Sequence, residues 1–254
     1  MQPESNPLAW TFHRNTSYSA AVRSLPAEAP GLARASQERG TLTAFMLPPP
    51  QIPGCSLSGA FEKRISSRVF SAAPVTLADV ATVLAGGFGM LRPAGRYSER
   101  LAHRPAPSAG GLYPLESYLL VRRVEALGAG VYHYAVATHA LELLPSPFSS
   151  TTNLTTMFLN QDFVNTAAAV LVTVAVPDRT LLKYRDRGYR YLLLEAGHCA
   201  QNVNLMCAAL GLGCCNIGGF LDRPLAELLG LDGELEFPIY AQAMGCVDPT
   251  NPAP

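Results

Sequence analysis

Hydrophobic and polar positions divide the chain into a proline-rich lead-in and a region with regular periods. The lead-in carries prolines at positions 3, 7, 26, 30, 48, 49, 50 and 53, and no long apolar period survives between them. We therefore expect an arm over residues 1–60, with one helix over Leu32–Phe45 that must end before the prolines at 48–50. Residues 61–248 form the predicted domain, and residues 249–254 form a short tail.

Beyond residue 60 the pattern predicts alternating strands and helices. Thr76 caps a helix with Asp79 three positions on, and a loop over Gly86–Gly111 follows it. The predicted strands are Ser117–Val124, Gly130–Tyr134, His139–Leu144, Val170–Val176 and Glu236–Gly245, with a short strand or turn over Cys215–Gly219. The other predicted helices are Leu192–Leu210, which Gly211 ends, and Arg223–Leu229, which Asp222 begins. A strand meander followed by long helices indicates an α+β protein.

Composition excludes several classes of partner. The 254 residues carry 19 basic and 19 acidic side chains, so neither nucleic acid nor a membrane surface is expected as the main partner. The N-terminus lacks a secretory pattern, and the apolar run Ala167–Val176 is half a membrane span. We expect a cytoplasmic protein with reduced cysteines, and no metal site, because paired C-x-x-C spacing is absent.

A dense segment, KYRDRGYRY over Lys183–Tyr191, precedes the long predicted helix. It has five charged residues and three tyrosines, in a chain that is 15% charged overall. The helix is mostly apolar, so its polar members Glu195, His198, Gln201, Asn202 and Asn204 are expected among buried neighbours. Partial desolvation and nearby cations favour Lys183 and Tyr184 as proton-transfer groups, and a solvated helix start with arginine pairs is the structural alternative. His133 and His198 are expected to be structural.

Three other segments suit a phosphate-bearing planar cofactor. Arg64, Ser66 and Arg68 alternate in KRISSRVF, so in an extended segment they point the same way and can meet phosphate oxygens. The glycines of PSAGGLYP, at 107–114, and of NIGGF, at 216–220, let backbone approach a flat ring. Each segment alone is also explained by an edge strand or a simple turn. Their coexistence favours the cofactor.

The motifs and their order resemble the flavin-dependent nitroreductase superfamily, and within it the SagB-type azoline dehydrogenases that make thiazoles and oxazoles in peptide natural products. The resemblance spans about Phe61–Cys246 through KRISSRVF, RPAPSAGGLYPLESYLLV, GVYHY, KYRDRGYRYLLLEAGHCAQNV, GLGCCNIGGF and AQAMG, and FHRNTSY at Phe12–Tyr18 resembles the lead-in of such dehydrogenases. It implies a nitroreductase-like α+β fold, with a mixed, mostly antiparallel sheet flanked by helices. It also implies FMN bound between the subunits of an obligate homodimer.

The resemblance implies roles for individual residues. Lys183 and Tyr184 match the catalytic pair of azoline dehydrogenases. The implied FMN contacts are Arg64, Ile65, Ser66 and Arg68 at the phosphate and ribityl chain, Pro107, Ser108, Ala109 and Gly111 in a loop laid on the partner's flavin, and Gly218 and Gly219 near the hydride-accepting nitrogen. The usual C-terminal basic residue is missing, so either Arg104 or Arg190 meets the phosphate or FMN binds more weakly.

The implied reaction is oxidation of a thiazoline or oxazoline in a peptide or carrier-bound intermediate, alone or within a synthetase complex. Tyr184, assisted by Lys183, is expected to remove the acidic ring proton. Two alternatives stay open. One is an NAD(P)H-dependent nitro or quinone reductase that uses the same flavin. The other is a non-catalytic scaffold of a peptide-modifying complex.

Overall fold

The computed structural model describes residues 7–17, 40–90 and 103–247, and the structural statements below concern those residues. The helices are α1 (Pro7–Asn15), α2 (Leu57–Lys63), α3 (Leu77–Gly87), α4 (Asp178–Tyr184), α5 (Arg187–Leu210) and α6 (Asp222–Leu228). The strands are β1 (Thr43–Met46), β2 (Leu115–Val121), β3 (Gly130–Ala135), β4 (Ala140–Leu144), β5 (Ala169–Ala175), β6 (Leu212–Ile217) and β7 (Phe237–Cys246).

The seven strands form one sheet in the order β1-β4-β3-β2-β5-β7-β6, and every pair of neighbours is antiparallel. The central strands β2 and β5 are buried along their whole length. Because successive side chains of a strand face opposite sides, Leu119 and Leu171 enter one core while Tyr118 and Val172 enter the other. The α+β class is confirmed, and parallel pairing among the described residues occurs in isolated bridges.

Different elements cover the two faces of the sheet. Helices α3 and α5 pack on the first face and contribute Val80, Leu84 and Val203 to its core. The connection between β4 and β5 covers the second face together with α6, through side chains such as Phe158 and Leu225. Full burial of one such side chain contributes roughly 1.5–3 kcal/mol. The two clusters therefore supply much of the free energy that holds the site's elements in place.

Arg122 attaches the connection between β4 and β5 to the sheet. Although it is only 8% exposed, its guanidinium donates to the carbonyl oxygens of Ser150 and Thr152 at 2.5 Å each and to Asn165 Oδ1 at 3.2 Å. It also lies 5.3 Å from the centre of the Phe148 ring. Burial lowers the pKa of this guanidinium, and the nearby Arg123 adds to that effect. The contacts to the three oxygens offset the loss of water around the charge.

The N-terminal region departs from the sequence-based prediction. The capped helix is confirmed, because Thr76 Oγ1 accepts a hydrogen bond from the Asp79 N–H at 3.0 Å. The helix predicted over Leu32–Phe45 is wrong where the structure describes that segment, since Thr43–Met46 is strand β1. Its residues pair with β4, and the Phe45 ring packs edge-on at 5.9 Å from Tyr132. Residues 32–39 lie outside the described residues.

The other predicted strands shift by at most three residues at either end. The long predicted helix begins at Arg187 rather than Leu192, and a separate short helix, α4, precedes it. Arg185, with φ 50°, interrupts the helical backbone between α4 and α5, and α5 ends at Gly211 as predicted. The predicted loop from Gly86 begins after α3 instead, and its part over residues 91–102 lies outside the described residues.

The polar residues of α5 divide between two environments. Glu195 and Asn204 are buried, Asn202 is half-buried, and His198 and Gln201 are exposed. The expectation of buried neighbours is therefore wrong for the exposed pair, because those positions lie on the outward face of the helix. All six cysteines are free. None of the described helices is long and apolar enough to span a membrane.

His133 is a buried structural histidine, as expected. Its Nδ1 lies 2.9 Å from Glu142 Oε2 and its Nε2 lies 3.1 Å from Glu116 Oε2. Glu116 Oε1 in turn accepts a hydrogen bond from Arg179 Nη2 at 2.6 Å. This chain of polar contacts joins β4, β3 and β2 to α4, which carries Lys183 and Tyr184.

We expect Arg122→Ala to lower the free energy of unfolding by about 2–4 kcal/mol, because it removes the three hydrogen bonds by which a buried guanidinium holds the connection to the sheet. Urea denaturation at fixed protein concentration measures this. Arg223→Ala is the matched control, since Arg223 is largely exposed and pairs with Glu227 within its own helix. The control is expected to change stability by less than about 0.5 kcal/mol. Equal effects of the two substitutions would show that Arg122 does not support the connection.

Candidate functional site

The predicted phosphate segment lies beside the edge strand β6. The Ser67 N–H donates to the carbonyl oxygen of Cys214 at 2.9 Å, next to a parallel bridge between Ser66 and Cys214. Ser67 is buried, Ser66 and Arg68 are exposed, and Arg64 is half-buried. The extended backbone therefore turns Ser67 toward the core and leaves its polar neighbours on the solvent side.

Gly213 permits this close approach. A Cβ at Gly213 would meet Ser67 Cβ and Val247 Cγ1 at 2.9 Å each, which is shorter than real Cβ contacts. The neighbouring Ile65 is exposed, and the Arg68 guanidinium lies 6.0 Å from the centre of the Phe163 ring. The segment is thus held to β6 through its backbone, and its side chains remain available.

The predicted ring-edge glycines follow β6 directly. Gly218 is exposed, and a Cβ built there meets no atom within 4 Å. The carbonyl oxygen of Gly219 accepts a hydrogen bond from Gln161 Nε2 at 3.0 Å. One position before the turn, Asn216 Oδ1 accepts from the buried Gln242 Nε2 at 2.8 Å. Gln161 and Gln242, which sequence reasoning missed, therefore fix the covered side of the turn and leave Gly218 open.

Residues 108–111 form a tight turn whose backbone is partly left-handed. Gly110 and Gly111 both have φ +66°, and Tyr113 has φ +46°. The Tyr113 N–H donates to Ser108 Oγ at 2.9 Å. Pro107 is exposed, and Ser108, Ala109 and Gly111 are half-buried. A bulky residue with positive φ is uncommon and persists only where its surroundings hold it.

Two arginines hold Tyr113 in this conformation. The Arg104 guanidinium lies 4.7 Å from the centre of the Tyr113 ring, and the Arg104 backbone N–H donates to the Tyr113 hydroxyl at 3.2 Å. Arg179 Nη1 donates to the Tyr113 carbonyl oxygen at 3.1 Å. Arg104 is therefore engaged at the turn. Its contact with an FMN phosphate stays a prediction.

Lys183 and Tyr184, at the end of α4, lie against this turn. A Cβ at Gly110 would meet the Tyr184 hydroxyl at 2.7 Å and Lys183 Nζ at 3.1 Å. The Tyr184 hydroxyl and Lys183 Nζ thus occupy the space beside the Gly110 Cα where a side chain would start, and any side chain at position 110 would displace them. On its other side the Tyr184 ring packs edge-on against Tyr191, with ring centres 5.0 Å apart. The sequence points to Gly111 in this motif, whereas Gly110 makes the contact.

Helix α1 packs on the start of α5, close to the pair. Arg190 Nη2 donates to the carbonyl oxygen of His13 at 2.5 Å, and Arg190 Nε donates to the Thr16 hydroxyl. Arg187 Nη1 donates to the Thr16 carbonyl oxygen at 2.9 Å. The described part of FHRNTSY therefore contacts KYRDRGYRY directly. Arg190, the second cation expected at the phosphate, is engaged here.

Glu195 is a buried carboxyl that faces the same turn. It is 4% exposed, and burial raises its pKa to about 7, while hydrogen bonding from Ser108 and the charge of Arg104 oppose the rise. Its Oε2 is buried and has no hydrogen-bond partner among the described residues. Burial also raises the pKa of the Cys199 thiol, one turn further on, to about 12. The sequence signal for Glu195 is a single acidic residue within the apolar run LLLEAGHCA.

The predicted site residues thus fall into two groups. The β6 group consists of Arg64, Ser66, Arg68, Gly218 and Gly219. The turn group consists of residues 108–111 with Lys183 and Tyr184. Helix α5, about 36 Å long for its 24 residues, connects them. The turn group lies beside the first part of α5, up to Glu195. Strand β6 lies beside the later part, where Gln242 of β7 donates to both the Ala200 carbonyl oxygen of α5 and Asn216 Oδ1 of β6.

Comparison with known proteins places this arrangement in a family. The Nitroreductase family model matches residues 61–246. The putative nitroreductase MJ1384 of Methanocaldococcus jannaschii is 34% identical over 197 residues, which cover 77% of this chain and 93% of that protein. The microcin B17-processing protein McbC of Escherichia coli is 34% identical over 151 residues, which cover 57% of this chain and 55% of that protein. The chain thus spans about half the length of McbC.

A solved structure extends the likeness over nearly the whole chain. A chain of the E. coli microcin synthetase McbBCD complex, with truncated pro-MccB17 bound, superposes with a TM-score of 0.60 and 26% identity. The superposition covers 98% of this chain and 95% of that chain. Because the family match includes both groups of site residues and six of the seven strands, the chain belongs to the nitroreductase family.

Proposed function

We propose that this protein is an FMN-dependent dehydrogenase that oxidises a thiazoline or oxazoline ring to the azole in a peptide or carrier-bound intermediate. The observation that carries the proposal is the convergence of Tyr184 Oη and Lys183 Nζ on Gly110. Two polar side chains aimed at one point of an open glycine turn suit proton transfer beside a bound ring. The similarity to McbC, a microcin B17-processing protein, supports a peptide as the substrate class.

FMN fits the residues of the β6 group. Two guanidinium groups and a hydroxyl, from Arg64, Arg68 and Ser66, match the donors that phosphate oxygens accept. The open space at Gly218 lets a flat ring approach the backbone. When bound, FMN supplies the acceptor for the hydride that leaves the azoline ring.

The turn group provides the proton chemistry of the proposed reaction. Tyr184 is the base that removes the acidic ring proton, and Lys183 assists it by stabilising the phenolate form. The Tyr191 ring and the Gly110 backbone hold the Tyr184 side chain from two sides. Neither Tyr184 nor Lys183 belongs to the β6 group, so binding of the cofactor and proton removal are separate tasks of the chain.

We also propose that the complete site forms between two copies of the chain. Helices α2 and α5 pack together, and both carry large exposed apolar side chains: Leu57 and Phe61 on α2, Leu193 and Leu194 on α5. Such a patch marks an interaction surface. A second copy docked there brings the 108–111 turn of one chain to the β6 group of the other. The pairing also explains why Pro107 and Gly110 are exposed in one chain.

A nitro or quinone reductase that uses NAD(P)H is the second candidate, because MJ1384, the relative covered over 93% of its length, is named a putative nitroreductase. Rapid bleaching of the bound flavin by NADPH, with no reduction by an azoline, would favour it. A scaffold without turnover is the third. A colourless protein that takes up no FMN would favour that reading.

We expect the protein to purify yellow with one FMN per subunit, and the Arg64→Ala, Arg68→Ala double variant to lose FMN. Each charge-assisted contact contributes roughly 1.5–3 kcal/mol, so the dissociation constant should rise more than about a hundredfold. Fluorescence titration of the apoprotein measures it. Lys63→Ala, which removes an exposed cation next to the segment, is the control and should bind FMN normally. Unchanged affinity in the double variant would remove the phosphate assignment.

Tyr184→Phe and Lys183→Ala should stay yellow and oxidise an azoline about 10²–10⁴-fold more slowly, because a positioned base contributes rates of that order. Tyr189→Phe is the matched control, since Tyr189 packs on Phe12 of α1 and should keep the wild-type rate. Wild-type turnover in Tyr184→Phe would make the pair structural. Loss of FMN from either variant would make the residue a binding contact instead.

We expect the wild-type protein to be a homodimer and Leu194→Glu to be a monomer that binds FMN poorly. A charge at the centre of an apolar interface of more than about 2,000 Å² cannot be kept solvated. Light scattering and FMN absorbance measure the two effects. Leu235→Glu, at an exposed leucine away from α2 and α5, is the control. A monomeric wild type that holds FMN at micromolar concentration contradicts the shared site.

A further inference from the structure

We propose that Asn216 donates a hydrogen bond from its Nδ2 to the ring of bound FMN, and that Gln242 holds the Asn216 side chain in the orientation that makes this possible. The inference rests on the proposed FMN-dependent function and adds two residues to it. Asn216 is the cofactor contact in this assignment. Gln242 is a positioning residue, because it is buried in the core and acts through Asn216.

The side-chain amide of Gln242 is held in one orientation by α5. Gln242 is 1% exposed, and its Nε2 donates to the Ala200 carbonyl oxygen at 3.0 Å. A backbone carbonyl can only accept a hydrogen bond, so the amide nitrogen of Gln242, and not its amide oxygen, must face Ala200. The opposite orientation would place two acceptors against each other in the core, away from water.

The orientation of Gln242 determines that of the Asn216 amide. Asn216 of β6 and Gln242 of β7 are cross-strand partners, and Gln242 Nε2 also donates to Asn216 Oδ1 at 2.8 Å. The contacts of the same nitrogen with Asn204 Oδ1, at 3.4 Å, and with Cys214 Sγ, at 3.7 Å, are longer. Asn216 thus presents its amide oxygen to Gln242, and its Nδ2 faces away from that contact.

The Asn216 amide lies next to the open turn at Gly218. Cys214 belongs to the core on the α5 side of the sheet and Ile217 to the core on the other side, so the alternation of a strand places Asn216 on the α5 side. Asn216 is exposed, and among the residues that the structure describes its Nδ2 has no hydrogen-bond partner. Gly218 follows about 7 Å along an extended chain, and a Cβ there meets no atom within 4 Å. A ring that approaches the Gly218 backbone therefore comes within reach of Asn216.

The buried amide of Gln242 is kept at a cost to the stability of the fold. Its Oε1 is buried and has no hydrogen-bond partner within the described part of the chain. A buried acceptor without a donor destabilises the folded state, and an apolar side chain of similar length, such as methionine, would avoid that penalty. Such an unpaired group in a folded protein calls for an explanation. The orientation of Asn216 toward a ligand supplies one.

A hydrogen-bond donor at a flavin ring changes the reduction potential of the flavin. The Asn216 Nδ2 can only donate, and the ring of FMN carries carbonyl oxygens and unprotonated nitrogens that accept. Because negative charge develops on a flavin ring during reduction, a fixed donor stabilises the reduced form more than the oxidised form. Asn216 is therefore expected to raise the two-electron midpoint potential and so to favour removal of the hydride from the azoline.

The first measurement is the midpoint potential of the FMN-loaded protein at pH 8, from anaerobic titration with dithionite against a reference dye and without any azoline. Asn216→Leu removes the amide at similar size. It should weaken binding of reduced relative to oxidised FMN at least about tenfold, which is about 30 mV for a two-electron couple. Asn216→Asp should lower the potential further, because a carboxylate then faces the ring in place of a donor. The control Gln51→Leu removes an exposed amide beside α3 and should leave the potential unchanged.

Asn216→Asp separates a contact to FMN from a purely structural role. Its carboxylate keeps the oxygen that accepts from Gln242 Nε2. A role confined to the bond between β6 and β7 therefore predicts a wild-type potential in Asn216→Asp and a changed potential in Asn216→Leu. That pattern overturns the proposal, and so does a wild-type potential in both variants.

A double-mutant cycle tests the positioning role of Gln242. Gln242→Met fills a similar space but removes the bond to Asn216, so that the Asn216 amide is free to rotate. We expect this substitution to lower the potential in the wild-type background and to have no further effect in the Asn216→Leu background. Additive effects overturn the positioning role. Should Gln242→Met fail to fold, the variants at the exposed Asn216 still decide for or against the donor.

The outcomes separate this inference from the proposed function. A wild type that takes up no FMN overturns both. If the wild type binds FMN and the Arg64→Ala, Arg68→Ala variant loses it, the cofactor assignment of the β6 group stands. An unchanged potential in Asn216→Leu then overturns this inference alone. None of these measurements needs azoline turnover, so they also decide the role of Asn216 if Lys183 and Tyr184 prove to be structural.

Discussion

The packing of α5 against the sheet is the interaction on which the rest of the site depends. One face of the helix buries Leu192, Ala196, Val203 and Cys207 in the core shared with α3. The direction of the helix then places the turn group beside its first residues and β6 beside its second half. The outward face carries the exposed side chains of Leu193 and Leu194. Because a helix is stiff over about 36 Å, a shift of α5 against the sheet moves the turn group and the β6 group together.

The turn at 108–111 shows how local strain is sustained by charge. Tyr113 in the left-handed region is held by Arg104, Arg179 and Ser108, and Arg179 is itself anchored by Glu116. These contacts join the turn to α4 and β2, so the residues that hold the strained backbone also hold the helix that ends in Lys183 and Tyr184. Strain of about 1–3 kcal/mol per residue is stable only when several contacts oppose its release. A single substitution in this set should therefore disturb the pair without unfolding the sheet.

The sequence predicts the sheet core and the motifs well, and it predicts contacts between distant segments poorly. β2 and β5 have apolar and β-branched runs that signal strands on their own, and Gly211 marks the end of α5 by its chemistry. β1 lacks such a run and becomes a strand through pairing with β4. The close contact of Gly110 with Tyr184 and the hydrogen bond from Gln161 to Gly219 join residues far apart in sequence. No local pattern encodes such a meeting, so the sequence names the right segments without showing how they combine.

The energetics of Glu195 argue for a role beyond packing. Its pKa in the folded chain, about 7, lies above the ordinary value of 4.5, so the folded state binds the proton more tightly than the unfolded state. The contribution of Glu195 to the free energy of unfolding is therefore greatest below pH 4.5 and falls as the pH rises toward 7. The loss is about 3 kcal/mol, because each unit of pKa shift corresponds to about 1.36 kcal/mol. A glutamine of nearly the same shape would avoid this loss. A carboxyl that weakens the fold at neutral pH, buried near the 108–111 turn that meets Tyr184, has the features of a functional group rather than of a packing residue.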